Sequence, residues 1–195
     1  RFIRHRRTSL NDGSFLGVGR NPGIQDHTPP CHPEEYAQIW SSPLRRALET
    51  AQLYGTKSQI QTDDRLLEIN YGEAEGMNLG DLSNAYPRLV AEWKLGNDPR
   101  FPSGESQNDV ADRSKDFFEK KLANLTSGPV LVVTHNVLLR ALLGRALALP
   151  TALWHRLVIP HDEGFDFRLV NGRLLPDLTR RQRIDLKDQA FGWSK

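Results

Sequence analysis

One uninterrupted apolar run, Val130-Leu131-Val132-Val133, constrains the fold of this 195-residue chain more than any other feature. A strand with one face in water alternates apolar and polar side chains, whereas this run offers no polar face. It is therefore typical of a strand buried on both faces of a parallel sheet. Such a strand needs helices on both sides of its sheet, which predicts an α/β fold with a mostly parallel central sheet.

The segments around this run predict further strands and helices in alternation. Short apolar strands are expected at Phe2-Ile3 and Ile39-Trp40. Amphipathic spacing predicts helices from Ser106 to Leu125 and from Val137 to Leu149. Because we find no linker in the sequence, we expect one domain over residues 1–195.

Ser42-Pro43 carries the signal for the start of another helix. Serine is a favoured N-cap residue and proline a favoured residue of the first helical turn. We therefore expect a helix from about Pro43 to Tyr54, with Ser42 as its N-cap.

Near the end of the chain, Asn171-Gly172 lies between two apolar runs and predicts a β-hairpin. The edge of such a hairpin either pairs with another chain or is blunted by its charged side chains. A homodimer and a monomer both stay open at this point.

Charge and cysteine content exclude several classes of partner and site. The chain has 26 Lys and Arg against 24 Asp and Glu, a net charge of +2, which argues against a nucleic-acid partner. Cys31 is the single cysteine, so neither an intramolecular disulfide nor a cysteine-based zinc site is expected, and a cytoplasmic location is the simplest setting. The most apolar stretch, Val137 to Leu149, contains two arginines and is shorter than the ~20 residues that span a membrane. We therefore predict no membrane partner.

Polar residues follow three of the predicted strands. Arg4-His5, Ser41 to Arg46 and Thr134-His135-Asn136 each stand where a strand ends. Because ligands of open parallel sheets bind beyond the carboxyl ends of the strands, these histidines and arginines are expected at one site. Helix N-termini nearby add positive potential, so an anion with several oxygens, phosphate above all, suits the site.

An ordered set of motifs resembles the histidine phosphatase superfamily, in its phosphoglycerate mutase-like branch. The set spans most of the chain and comprises Phe2-Ile3-Arg4-His5 with Thr8 and Asn11, Gly19-Arg20, Ser41 to Ala47 with Thr50-Ala51, Leu67-Glu68 with Gly72 and Glu75-Gly76, Gly104-Glu105-Ser106, and Val132 to His135. The resemblance implies a three-layer α/β/α sandwich and a phosphatase activity.

The resemblance also implies a role for each matching residue. His5 would be the nucleophile that forms a phosphohistidine, which water then hydrolyses. Arg4 and Arg46 would bind the phosphate, since a planar guanidinium can hold two of its oxygens. His135 would hydrogen-bond the transferred phosphoryl group. Arg45, one position before the matching arginine, is interpreted as a solvated helix charge.

The general acid would be Glu68, which must hold a proton near neutral pH in order to protonate the leaving alkoxide. Glu73 and Glu75 lie nearby and are alternatives as acids. Asn11 would touch the phosphate, and Gly19 would let the loop backbone approach it closely.

The sequence departs from the family pattern at two places. Arg6-Arg7 stands where Gly-Glu is usual, and Asn136-Val137 stands where Gly-Gly is common. Arg6 either projects into the pocket and binds a second anionic group or obstructs the site. Arg6 and Asn136 are accordingly candidate substrate-binding residues. His161-Asp162 is interpreted as part of a loop or an edge strand.

The best-supported prediction is a metal-independent, cofactor-free phosphomonoesterase acting on a small phosphorylated metabolite. A phosphoglycerate mutase-like phosphotransferase is the first alternative. A mutase of this branch carries an arginine pair between the Glu-Gly turn and the Gly-Glu-Ser motif, whereas Arg88 and Arg100 are separate here. A non-catalytic phosphate-binding module is the second alternative.

Overall fold

The computed structural model describes residues 1–30, 35–55, 59–123, 128–170 and 173–192, with only the backbone of Arg173. Its centre is a five-stranded sheet in the order β3-β2-β4-β1-β5. The strands are β1 (Phe2–Arg4), β2 (Gln38–Ser41), β3 (Ile60–Thr62), β4 (Val130–Thr134) and β5 (Gly164–Phe165). The first four run parallel, and β5 pairs antiparallel with β1 at one edge.

The apolar run of residues 130–133 forms most of β4, in the middle of the sheet between β1 and β2. Leu131, Val132 and Val133 have no exposed surface, as expected for a strand covered on both faces. The prediction of a mostly parallel α/β fold around this strand is confirmed.

Six α-helices accompany the sheet among the residues that the structure describes. They are α1 (Arg45–Ala51), α2 (Leu79–Ala85), α3 (Pro87–Lys94), α4 (Gln107–Phe117), α5 (Asn136–Ala146) and α6 (Arg180–Phe191). A π-helical turn, Phe118–Leu122, extends α4.

The two faces of the sheet pack against different helices. On one face Ile39, Leu131 and Val133 contact Ala47 and Ala51 of α1. On the other face, Phe2, Trp40 and Val132 belong to the larger core that contains the buried sides of α4 and α5. Helices therefore lie on both sides of the sheet, in the three layers that the family resemblance implies.

The start of α1 differs from the prediction. The helix begins at Arg45, its N-cap position is Leu44, and Leu44 provides no side-chain cap. The Ser42 hydroxyl still accepts from the Leu44 backbone N–H at 3.3 Å, the contact expected of an N-cap, and it also lies 2.8 Å from Nε2 of His135. A capping contact is therefore present, but the regular helix begins two residues later than predicted.

The predicted hairpin is present as two antiparallel strands, β6 (Phe167–Val170) and β7 (Arg173–Pro176). Its turn, Asn171-Gly172, lies outside the described residues, as does Leu125 at the end of the helix predicted from Ser106. Within the described part of the chain, we find no helix with the length and apolar character needed to cross a membrane.

Candidate active site

The carboxyl ends of β1 and β4 bring two histidines together. His5 follows β1, and its backbone N–H donates to the Thr134 carbonyl at 2.9 Å. His135 follows β4, and the two imidazole rings lie 5.0 Å apart between centroids. Both side chains are buried. The predicted convergence of the strand ends is therefore seen in the structure.

The hydrogen bonds of His5 decide which ring nitrogen can act as a nucleophile. Nδ1 lies 2.6 Å from the carbonyl oxygen of Arg6, which can only accept, so Nδ1 carries the proton. Nε2 therefore keeps its lone pair. Burial and the nearby Arg46 charge hold the pKa of His5 well below its usual value, so the ring stays neutral.

Arg46 is fully buried between the strand ends and the loop at residues 16–20. Its Nη1 donates to the Arg20 carbonyl at 3.0 Å and its Nη2 to the Gly17 carbonyl at 2.9 Å. The neighbouring Arg45 is exposed and pairs with Glu49 at 2.6 Å, as expected for a solvated helix charge. Arg4 donates through Nη1 to the Ile159 carbonyl at 2.6 Å.

Unpartnered polar atoms concentrate around these residues. Across the described residues, the buried side-chain nitrogens and oxygens without a hydrogen-bond partner are Arg4 Nε, Arg46 Nε, His135 Nδ1 and Asn136 Oδ1. Buried polar groups are nearly always satisfied in folded proteins, so such a cluster indicates the position of a ligand. Three of the four atoms are nitrogens on two cations and an imidazole, which suits an oxyanion.

The buried side chain of Glu68 lies against the N-terminus of α5. Its carboxylate accepts from the backbone N–H groups of Ile69 at 3.0 Å, Asn136 at 3.1 Å and Val137 at 3.1 Å. Burial raises the pKa of Glu68, although the nearby Arg46 charge acts in the opposite direction. The group thus combines a tendency to hold a proton with a fixed position beside His135.

The two alternative glutamates occupy different surroundings. Glu73 is exposed and accepts hydrogen bonds from the hydroxyls of Tyr86 at 2.7 Å and Ser103 at 2.9 Å. Glu75 accepts from the backbone N–H of Gly17 at 2.7 Å and so holds the loop that covers Arg46. Of the three carboxyl groups, Glu68 is the one bonded to the helix that begins after His135.

The roles of Gly19 and Asn11 toward the phosphate stay predictions, and the structure gives their contacts within the protein. A Cβ at exposed Gly19 would lie 3.3 Å from Glu75 Cγ, whereas one at Gly17 would lie 2.6 Å from the Ile69 carbonyl oxygen. Within the protein, the tight backbone packing of this loop therefore occurs at Gly17, against the Ile69 carbonyl. Asn11 uses its Oδ1 to accept from the Thr8 backbone N–H at 2.7 Å.

Arg6 does not join the cluster, which corrects the expectation that it projects into the pocket. Its Nε donates to Asp162 Oδ2 at 2.9 Å, and its Nη2 lies 2.9 Å from the same oxygen. Its Nη1 donates to the Thr28 carbonyl at 2.5 Å. The carboxylate of Asp162 therefore engages the guanidinium, and Arg6 joins three loops rather than a ligand.

His161 is a member of the cluster that sequence reasoning missed. Its ring centroid lies 5.3 Å from that of His5, and its Nδ1 lies 3.1 Å from the His5 carbonyl oxygen. Burial and the Arg4 charge lower its pKa to about 4. Antiparallel pairing of β5 with β1 brings this residue back to the end of β1, and the two-residue strand β5 leaves a weak sequence signal.

A search of the described residues finds no group of three or more His, Cys, Asp and Glu side chains arranged to hold a metal ion. The expectation that the site works without a metal or cofactor stays a prediction.

Comparison with known proteins gives a family match over most of the chain. The family model described as histidine phosphatase superfamily (branch 1) matches residues 30–164. A glucosyl-3-phosphoglycerate phosphatase of Mycolicibacterium vanbaalenii is 35% identical over 171 residues, which cover 78% of this chain and 75% of the relative. A bifunctional protein of Mycobacterium tuberculosis is 30% identical, but the matched region covers only 46% of its length.

Solved structures give the same fold. A phosphoserine phosphatase of Entamoeba histolytica, solved with 3-phosphoglyceric acid, superposes with a TM-score of 0.75 over 93% of this chain and 97% of its own. The two sequences are 18% identical, so this likeness concerns the fold alone.

Proposed function

The chain belongs to branch 1 of the histidine phosphatase superfamily, and we propose from this premise that it hydrolyses phosphomonoesters of small metabolites. The observation that carries the proposal is the cluster of unpartnered nitrogens on Arg4, Arg46 and His135 around His5. An arrangement of this kind binds a phosphoryl group and places it against a neutral imidazole.

In the proposed first step, Nε2 of His5 attacks phosphorus and the bond to the ester oxygen breaks. The lone pair is available because Nδ1 holds its proton against the Arg6 carbonyl. Glu68 gives its proton to the departing alkoxide, so the alcohol leaves neutral and the phosphoryl group remains on His5. The raised pKa of Glu68 favours the protonated form that this step requires.

Charge on the transferred phosphoryl group is stabilised by fixed donors. Arg4 and Arg46 supply two guanidinium groups whose Nε atoms have no protein partner. His135 supplies Nδ1, which carries a proton when the Ser42 hydroxyl donates to Nε2. Because these groups are held by backbone carbonyls and by Ser42, little reorganisation is needed during the reaction.

In the second step, water attacks the phosphohistidine and inorganic phosphate leaves. Glu68, now a carboxylate, accepts the proton of that water, which restores both groups to their starting states. The arginines provide the positive charge in both steps, so we propose a reaction that proceeds with a chelator present.

The proposal is tested by measuring phosphate release from a panel of esters in the presence of a chelator. The panel includes the esters named for the similar proteins, glucosyl-3-phosphoglycerate and phosphoserine. We expect release from some esters by the wild type and a loss of at least about 1000-fold in His5→Ala. His27→Ala is the matched control, because the His27 side chain is 63% exposed, and it should keep wild-type activity.

A folded wild-type protein that releases no phosphate would contradict the proposal. An assay with a bisphosphate primer would then separate the mutase from the non-catalytic phosphate-binding module. A cytoplasmic location and the absence of nucleic-acid and membrane partners remain predictions from the sequence, and the choice between a homodimer and a monomer stays open.

A further inference from the structure

A cavity of about 720 Å³ lies beside the proposed phosphate site. Its walls are mainly apolar and aromatic, with Phe15, Tyr71, Val90, Trp93 and Phe101 among the lining side chains. The volume falls within the range of about 300–1,000 Å³ that is usual for small-molecule pockets. No step of the proposed mechanism uses it.

The cavity borders the residues that hold the general acid. Ile69 and Val137 line it, and the backbone N–H groups of these same residues bind the Glu68 carboxylate. Arg140 and Tyr71 also line it, and both interact electrostatically with Glu68. The cavity therefore lies close to Glu68, which protonates the departing oxygen in the proposed mechanism, and this position suits the alcohol part of a substrate.

The aromatic wall is a packed unit. Phe15 stacks on Tyr71 with ring centroids 4.8 Å apart, and Phe101 meets Tyr71 at 4.8 Å and Trp93 at 5.1 Å in edge-on contacts. Rings fixed against one another present a preformed surface, so an apolar ligand orders few side chains on binding.

Exposed apolar side chains continue this surface. Leu79 and Leu95 line the cavity and are 59% and 75% exposed. A ligand that covers them removes apolar surface from water, which is favourable. The hydroxyls of a sugar placed against the same wall would lose hydrogen bonds to water without replacement.

Positively charged side chains on the cavity wall favour binding of a negatively charged phosphate ester. Arg140, Lys94 and Arg156 line the cavity together with a single carboxylate, Asp98. Asp98 is already engaged, since its oxygens accept from the backbone N–H groups of Gln107 at 3.1 Å and Asn108 at 2.8 Å. The cationic excess attracts a phosphate monoester dianion.

We propose that this cavity binds the alcohol part of the substrate and that esters of ring-bearing apolar alcohols are the preferred class. The inference rests on the proposed phosphatase function, because it assigns the leaving-group side of the same site.

The first test compares kcat/KM for 2-phenylethyl phosphate, ethyl phosphate and glucose 6-phosphate. These are esters of aliphatic alcohols, so leaving-group acidity differs far less than it would against an aryl ester. We expect the phenylethyl ester to exceed each of the others by at least about 10-fold, the scale on which an apolar group of this size contributes. Equal values for the three esters would overturn the inference while leaving the phosphatase function intact.

Two variants locate the effect in the cavity. Trp93→Ala removes part of the aromatic wall, and Leu95→Ser removes an apolar side chain that is 75% exposed. Both should lower kcat/KM for the phenylethyl ester, by about 3-fold or more, and leave that of the ethyl ester unchanged. Val158→Ser is the matched control, because Val158 is 62% exposed and lies outside the cavity lining. A preference unchanged in both cavity variants would overturn the inference.

A binding measurement separates this inference from the proposed function. Calorimetry with 3-phenylpropylphosphonate and propylphosphonate, which cannot be hydrolysed, should show tighter binding of the phenyl compound, reduced in Leu95→Ser. If no ester is hydrolysed but this difference is found, the cavity assignment holds and the proposed catalytic function fails. If neither hydrolysis nor a binding difference is found, both fail.

Discussion

At the scale of single residues, two opposing effects act on the pKa of Glu68. Three backbone N–H groups bind its carboxylate, which favours the ionised form, and Arg46 adds to that preference. Burial acts against ionisation and is the largest influence, so the pKa is raised. The same side chain thus caps α5 and keeps a proton for the leaving group.

Substitution of Glu68 by Gln should lower kcat/KM more for an ester whose alcohol is a poor leaving group than for one whose alcohol is a good leaving group. An alkyl ester needs a proton on its departing oxygen, whereas p-nitrophenolate leaves without one. We expect Glu68→Gln to lower kcat/KM about 100-fold or more for an alkyl ester and less than about 10-fold for p-nitrophenyl phosphate. Steady-state kinetics with both esters measure this, because kcat/KM reports the steps up to transfer to His5.

Glu73→Gln is the control for that substitution. Glu73 is exposed and bonded to Tyr86 and Ser103, so its removal should leave both esters near wild type. Equal losses for the alkyl and aryl esters in Glu68→Gln would assign Glu68 a structural role and return the acid to another group.

Much of the residue-scale site follows from one rule of parallel sheets, that strand ends meet at one edge. That rule brings His5, Arg46 and His135 together from three separate segments. The rule does not predict the position of the Arg6 side chain, because that position depends on Asp162, 156 residues away. Nor does it predict His161, whose position depends on the two-residue strand β5.

At the scale of elements, the contact between Arg6 and Asp162 joins the segment after β1 to the loop before β5. The Arg6 side chain is 8% exposed and that of Asp162 is 33% exposed. Tyr54 of the segment after α1 also donates to Asp162, at 3.3 Å. The arginine that departs from the family pattern is thus compensated by an acidic partner within the same fold.

A double-mutant cycle on Arg6→Met and Asp162→Asn should show coupling in the free energy of unfolding. Each single change leaves one member of the pair without its partner, so each should destabilise the protein. We expect the double variant to be less destabilised than the sum of the single effects, by about 1–3 kcal/mol. Asn is chosen because Asp162 has φ of +61°, which Asn tolerates.

Denaturant unfolding of the four proteins measures that coupling. A matched cycle on the exposed pair Arg181 and Asp185 of α6 should give a much smaller value, since surface pairs contribute little. Additive effects at Arg6 and Asp162 would contradict the role assigned to the pair.

Helices and strands were predictable where no tertiary contact conflicted with the local sequence signal. The continuous apolar run of residues 130–133 predicts a buried strand, and β4 forms there. Ser42-Pro43 did not predict that the Ser42 hydroxyl, besides its capping contact with the Leu44 backbone N–H, binds a histidine 93 positions later. Capping preferences are local, and this contact is not.

At the scale of the whole molecule, the buried histidines link the site to the stability of the fold. The buried His5 and His135 and the half-buried His161 all have lowered pKa values, chiefly because of desolvation, with cationic neighbours adding to the effect. The expectation that residues 1–195 form one domain stays a prediction, and a single cooperative unfolding transition would support it.

Acidification should therefore destabilise the protein from about pH 6.5 downward. Below that pH the unfolded chain binds protons at these histidines while the folded protein does not, so stability falls as pH falls. For the fully buried His5 and His135 the slope approaches about 1.4 kcal/mol per pH unit each. Glu68 acts in the opposite direction, because its raised pKa lets the folded state bind the proton more tightly, but a single carboxyl cannot offset several histidines.

The midpoint of denaturant unfolding at pH 7.5, 6.5 and 5.5 measures this dependence, and His161→Asn identifies one contributor. Asparagine does not titrate and its amide can still donate to the His5 carbonyl, so the loss of stability between pH 6.5 and 5.5 should become shallower. A wild-type protein equally stable at pH 7.5 and 5.5 would contradict this prediction, because it would show that protonation of these histidines does not destabilise the folded state. The positive charges of Arg4 and Arg46 beside these rings argue for the opposite outcome.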